Sequence, residues 1–213
     1  MCDSLCGGSQ WGQLYAERTF DMVFRLRFDF LRFARQYCVP IIAIAGSVAD
    51  EYDTQTGVKG TLDRLQNGFI SALPSSWIWV DEQVGSRTKL LNATLHDLGI
   101  GNIKLETAKQ FFPHMSWGDL VDYILTDQGT IHTAAMVIQQ AVERLRPYVC
   151  GLSDAHEEAV YVSYYKQGDS YIQRYLQRSA AEPNTGSILP GEGCRVFRQR
   201  HRLVEALCGC CLP

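Results

Sequence analysis

The chain has 213 residues, with 20 Lys and Arg against 23 Asp and Glu, a formal charge of −3, and 46% hydrophobic residues. That length suits one generous domain whose core needs neither disulfide nor metal to hold it. The acidic balance excludes the basic excess of a typical nucleic-acid binder and any attraction to anionic surfaces by bulk charge.

The N-terminal stretch lacks a basic segment followed by an apolar run, so no signal peptide is expected. Residues 13–36 read as one long helix, with Arg18, Arg25 and Arg32 recurring every seven residues as a solvated stripe. Pro40 is placed to open the next helix, IIAIAGSVADEY, which is apolar on nearly every side until Asp50. A helix of that character belongs at the centre of a core, and it delivers Asp50, Glu51 and Asp53 at its exit. The apolar run Val39–Ala49 is about half the ~20 residues that a bilayer span requires, so no membrane span is expected. The expectation is a soluble chain made in the cytoplasm, with any work beyond it depending on another export route.

Residues 58–73 read as an amphipathic helix closed by Pro74, and SSWIWVDEQVGS as a short strand or loop. Helical patterns resume over Thr88–Leu98, Lys104–Phe112, Ser116–Leu125, Thr130–Arg146, Ala155–Lys166 and Asp169–Arg178, with Ser116 and Thr130 as candidate N-caps. The turn-rich segment 179–193 separates these from one more helix at 194–207. The fold class is mostly α with at most a small β element, organised as a helical domain over 1–178 and a loop plus Cys-rich tail over 179–213. Of the eight cysteines, Cys194, Cys208, Cys210 and Cys211 fall in that tail, in a spacing unlike a zinc knuckle. No metal and no cofactor is therefore expected, and free or incidentally oxidised thiols are the simplest account of the cysteines. The five histidines show no metal-ligand spacing, and His132 reads as a partly buried structural residue.

What remains is carboxylate chemistry. A general acid needs a carboxyl whose surroundings let it keep its proton near neutral pH, and an apolar helix leading into Glu51 supplies them. Acids at a helix C-terminus oppose the helix dipole, so Asp50 and Glu51 are locally unfavourable where they stand. The plain alternative is a solvated helix end.

Three segments, in order, carry a family resemblance: Ala49-Asp50-Glu51-Tyr52, then Gly99-Ile100-Gly101-Asn102-Ile103 with Thr107-Ala108, then the run from Ala159 through Tyr165 to Gly168. Together they resemble the lysozyme-like superfamily, nearest its lytic transglycosylase and goose-type branches, over roughly residues 40–178. The resemblance implies a lysozyme-like helical domain, with 58–95 an inserted helix and loop, that acts on the glycan strands of peptidoglycan. It implies Glu51 as general acid. Tyr52, Gly99, Gly101, Asn102, Tyr165, Lys166 and Gln167 then fall at substrate-binding positions, with Gly99 and Gly101 admitting the glycan close to the backbone. Departures from the family pattern are Tyr52 for Ser, Asn102 for Gln and Lys166 for Asn. A second carboxylate, with Asp63 foremost and Asp53, Asp81 and Glu82 beside it, would give hydrolysis; without one, the sugar's 6-hydroxyl gives a 1,6-anhydro product. Asp63 is equally readable as a surface charge paired with Lys59. Trp77, Trp79, Trp117 and the tyrosines Tyr164, Tyr165, Tyr171 and Tyr175 are candidates for sugar stacking, with core packing expected for at least two of the tyrosines. The reading suits a phage lysin or an antibacterial effector acting in the periplasm or wall, the effector form implying an immunity protein and a secretion-apparatus carrier. The rivals are a non-catalytic helical binding or scaffold protein, and a cysteine hydrolase using Cys38 or Cys150.

Overall fold

The computed structural model describes residues 14–54, 98–174, 189 and 191–209, and over these the protein is mostly α, with no strand. The expected helix at 58–73, the segment SSWIWVDEQVGS, most of Thr88–Leu98, and Asp63, Asp81, Glu82, Trp77, Trp79 and Tyr175 lie outside the described residues. The chain divides into two compact units, one formed by Met1–Asp50 with Ala135–Pro213, the other by Glu51–Ala134. Among the described residues no helix is long and apolar enough to cross a membrane.

In the first unit, α1 (Glu17–Arg25) and α2 (Arg27–Tyr37) replace the single helix expected over 13–36. The apolar periodicity runs unbroken through the junction, but Leu26 leaves helical geometry at φ −98° and ψ 9°. Glu17 in the first turn of α1 and Arg25 in its last complement the helix dipole. α2 ends in a left-handed residue, Cys38, at φ 52° and ψ 46°. The Val39 amide donates to the Ala34 carbonyl (3.0 Å) and the Cys38 amide to Arg35 (3.4 Å), a Schellman closure without its usual glycine.

The Pro40 carbonyl then accepts from Ala43 and Ile44 and opens α3 (Ile41–Thr54). Every residue from Ile42 to Glu51 is buried, as an all-round apolar helix requires. Two glycines let α3, α7 (Asp154–Gln167) and α8 (Gly191–Cys208) approach one another closely. A Cβ on Gly46 would stand 2.8 Å from both γ-carbons of Val196. One on Gly193 would meet the Ser163 hydroxyl at 2.4 Å and the Ala159 carbonyl oxygen at 2.7 Å. α8 also packs along α1, and its buried Val196, Gln199, Leu203 and Leu207 form the inward stripe. Helical residues 169–174 follow α7.

The second unit holds the isolated bridge between Leu98 and Ile103, then α4 (Leu105–Phe111) packed on α5 (Trp117–Leu125). Ser116 caps α5 as expected, accepting from the Asp119 amide at 3.1 Å. The expected cap at Thr130 is displaced: α6 (Asp127–Val149) begins one turn earlier, where the Thr126 hydroxyl accepts from Gly129 (2.9 Å). Thr130 is buried instead and donates to the Ile124 carbonyl at 2.7 Å. His132 is half-buried as expected; it shares a 2.6 Å hydrogen bond with the Tyr123 hydroxyl and meets Phe112 edge-on. Cys38 and Cys150 are free, exposed thiols, whereas Cys194 is buried and disulfide-bonded.

Candidate active site

The apolar face of α3 ends at two consecutive buried acids, Asp50 at 4% exposure and Glu51 at 5%, with no basic residue in the helix's last turn. Asp50 closes the first unit, and the cations that answer it come from other elements. The Arg195 guanidinium, on the first turns of α8, lies 3.2 Å from one Asp50 oxygen and is itself largely buried. The Lys166 ammonium, at the end of α7, stands 4.0 Å from the other oxygen. The Tyr15 hydroxyl donates to Asp50 at 3.4 Å, and the Arg195 guanidinium sits over the Tyr15 ring at 4.6 Å. Tyr15 is fixed in turn by its backbone amide, which donates to the Gln199 side chain (2.9 Å). Beside this group the Gln167 amide donates to the Glu192 carboxylate.

Burial pushes the Asp50 carboxyl above its ordinary value, and Glu192 adds to the rise. Arg195, Lys166 and the Tyr15 hydroxyl pull the other way, and burial prevails. Asp50 is thus a strained acid, held by one close cation and one distant one. Of the expected substrate-binding residues on α7, Lys166 turns toward Asp50, Gln167 toward Glu192, and Tyr165 is half-buried. Tyr164 and Tyr171 are core residues. Burial foremost, with Asp169 adding, pushes the Tyr164 phenol up to about 12.

Glu51 and Tyr52 lie in the last turn of α3 and belong to the second unit. The same unit gathers Gly99, Gly101 and Asn102 into one turn. Leu98 and Ile103 exchange backbone hydrogen bonds of 2.9 and 2.8 Å across it, and the Asn102 amide donates to Gly99 at 3.3 Å. Gly99 (φ 70°) and Asn102 (φ 52°) both adopt left-handed backbone, which glycine and asparagine tolerate best. The close approach that requires Gly99 is internal: a Cβ there would meet the Thr130 hydroxyl at 2.2 Å and the Ile124 carbonyl oxygen at 2.5 Å. Trp117 is half-buried with the Lys109 ammonium 5.2 Å from its ring.

Tyr15, Glu192 and Arg195 escaped the sequence reading. Nothing local marks them, because their roles arise only when α8 and the residues before α1 pack beside α3. The weak signal was Asp50 itself: a buried acid at a helix end has to find a cation from somewhere. No family model, no curated protein and no solved structure matches the chain.

Proposed function

We propose that the chain cleaves the glycan strands of peptidoglycan, with Glu51 as general acid. The observation that carries this reading is the burial of Glu51, 5% exposed in the final turn of an otherwise apolar core helix. Glycosidases use such settings to keep a carboxyl protonated near neutral pH. The ordered resemblance of three segments to lysozyme-like enzymes supports the same reading.

In the reaction, the Glu51 carboxyl gives its proton to the glycosidic oxygen as the bond to the anomeric carbon breaks. The leaving sugar departs as a free hydroxyl, and positive charge develops on the remaining ring. Either water or the sugar's own 6-hydroxyl then adds to that carbon, and its proton returns to the Glu51 carboxylate. Asp53, half-buried three residues after Asp50, and Asp63 are the candidates for guiding water. Asp50, tied to Arg195, Lys166 and Tyr15, anchors the end of α3 within the first unit. Action at the wall after release or delivery, with an immunity protein as partner, belongs to the same proposal.

A zymogram on purified cell wall tests it. The full chain clears the wall, and Glu51→Gln abolishes clearing while keeping its circular dichroism and melting temperature. Equal clearing by Glu51→Gln, or none by the natural chain at any pH, overturns the reading.

A further inference from the structure

A surface on α1 and α2 has no part in the acid site. On α2, Phe28, Arg32 and Arg35 follow one another at spacings of four and three residues, which lines them along one side; these three and Arg25, the last residue of α1, are all exposed. Phe28, at 68%, is the most exposed large apolar side chain among the described residues. The Arg27 guanidinium lies across the rings of Phe28 and Phe24, 4.3 and 4.1 Å from their centroids, placing a further cation at the root of the aromatic pair. Phe24 and Leu31, one turn to either side of Phe28, are half-buried and extend the apolar edge. Residues 21–35 hold four arginines against two aspartates, Asp21 and Asp29, in a chain whose net charge is −3.

We propose that this face docks on the surface of an anionic lipid bilayer, Phe28 entering the boundary between headgroups and acyl chains while Arg25, Arg32 and Arg35 meet lipid phosphates. The guanidinium fork pairs with phosphate oxygens two at a time, which suits it to a headgroup layer. A soluble polyanion would attract the exposed arginines but leave the Phe28 ring in water. A bilayer accommodates both, because an apolar layer lies beneath its charge. Bulk charge does not draw this acidic chain to such a surface, so the attraction is local to the arginine line.

The test is co-sedimentation of the full chain with vesicles of phosphatidylglycerol and phosphatidylcholine, set against phosphatidylcholine alone. The natural chain pellets with the anionic vesicles, less so as salt rises. Phe28→Ser weakens partition about ten-fold. Replacing Arg25, Arg32 and Arg35 by Glu removes at least the roughly five-fold that each arginine contributes near an anionic surface. Lys104→Glu, an exposed change in the other unit, leaves binding as it was, and circular dichroism verifies that every variant folds. Three results overturn the proposal: a natural chain that stays in the supernatant; a Phe28→Ser chain that binds as before, which assigns the face to a soluble polyanion; or lipid-free self-association in the ultracentrifuge that Phe28→Ser abolishes, which assigns it to a second copy of this chain.

Discussion

Replacing Arg195 by Met isolates the contact that holds the end of α3. The Asp50 side chain is 5% exposed and that of Arg195 is 14%, so the pair is largely screened from solvent, and the methionine keeps much of the arginine's apolar bulk. Removing one member of such a pair strands a buried charge at a typical cost of 3–5 kcal/mol. Lys166 remains 4.0 Å away and softens the loss, which places the expected cost at about 3 kcal/mol near neutral pH. For a chain of this size that lowers the melting temperature by roughly 6–12 °C. The pH dependence has a definite sign. Burial already holds folded Asp50 above the ordinary value of 3.8, so its favourable contribution is complete below 3.8 and is lost as pH rises through the folded value. Without Arg195 the carboxyl rises further. The variant therefore differs least from the natural protein below pH 3.8 and falls away from it as pH increases. Converting Asp50 to Asn in the same chain removes the stranded charge and recovers all but about 1 kcal/mol. Urea unfolding at a series of pH values reads the natural chain and both variants. An Arg195→Met cost independent of pH, or no recovery in the double variant, would refute the argument.

Other expectations follow from single positions. Gly46→Ala gains helix propensity but drives a methyl against Val196; urea unfolding should show a net loss of about 1–2 kcal/mol, relieved when Val196→Ala is added. Gly99→Ala combines a left-handed backbone with a clash against the Ile124 carbonyl oxygen and should cost about 3 kcal/mol or more by the same measurement, whereas Asn102→Gly is nearly neutral. Cys38→Gly relieves the left-handed closure of α2 and should raise the melting temperature, by about 1 kcal/mol of added stability.

The central helix was legible because nothing else accounts for eleven residues, Val39 to Ala49, without a strongly polar side chain. Its burial, and the delivery of Asp50 and Glu51 at its exit, follow from that pattern alone. The break at Leu26 was not legible: hydrophobic periodicity records which face is buried and is indifferent to a local change of φ and ψ. Thr130 illustrates a related limit, since a threonine before an apolar run reads as a cap whether its hydroxyl serves an amide or, as here, the Ile124 carbonyl. Gly46 looks like a flaw in its helix, and Gly193 like part of a loop, until α3, α7 and α8 are brought together, when each marks a point of close approach. The partners of Asp50 were hidden for the same reason. Arg195 lies far along the chain from Asp50, and pairing between distant segments is written in packing, not in local sequence.

Mass spectrometry of peptidoglycan digested by the natural chain and by Glu51→Gln tests the central claim most directly. New chain ends, either reducing muramic acid or its 1,6-anhydro form, are expected with the natural protein, and intact glycan with a Glu51→Gln variant that remains folded. Intact glycan with both proteins, or the same new ends with both, contradicts it.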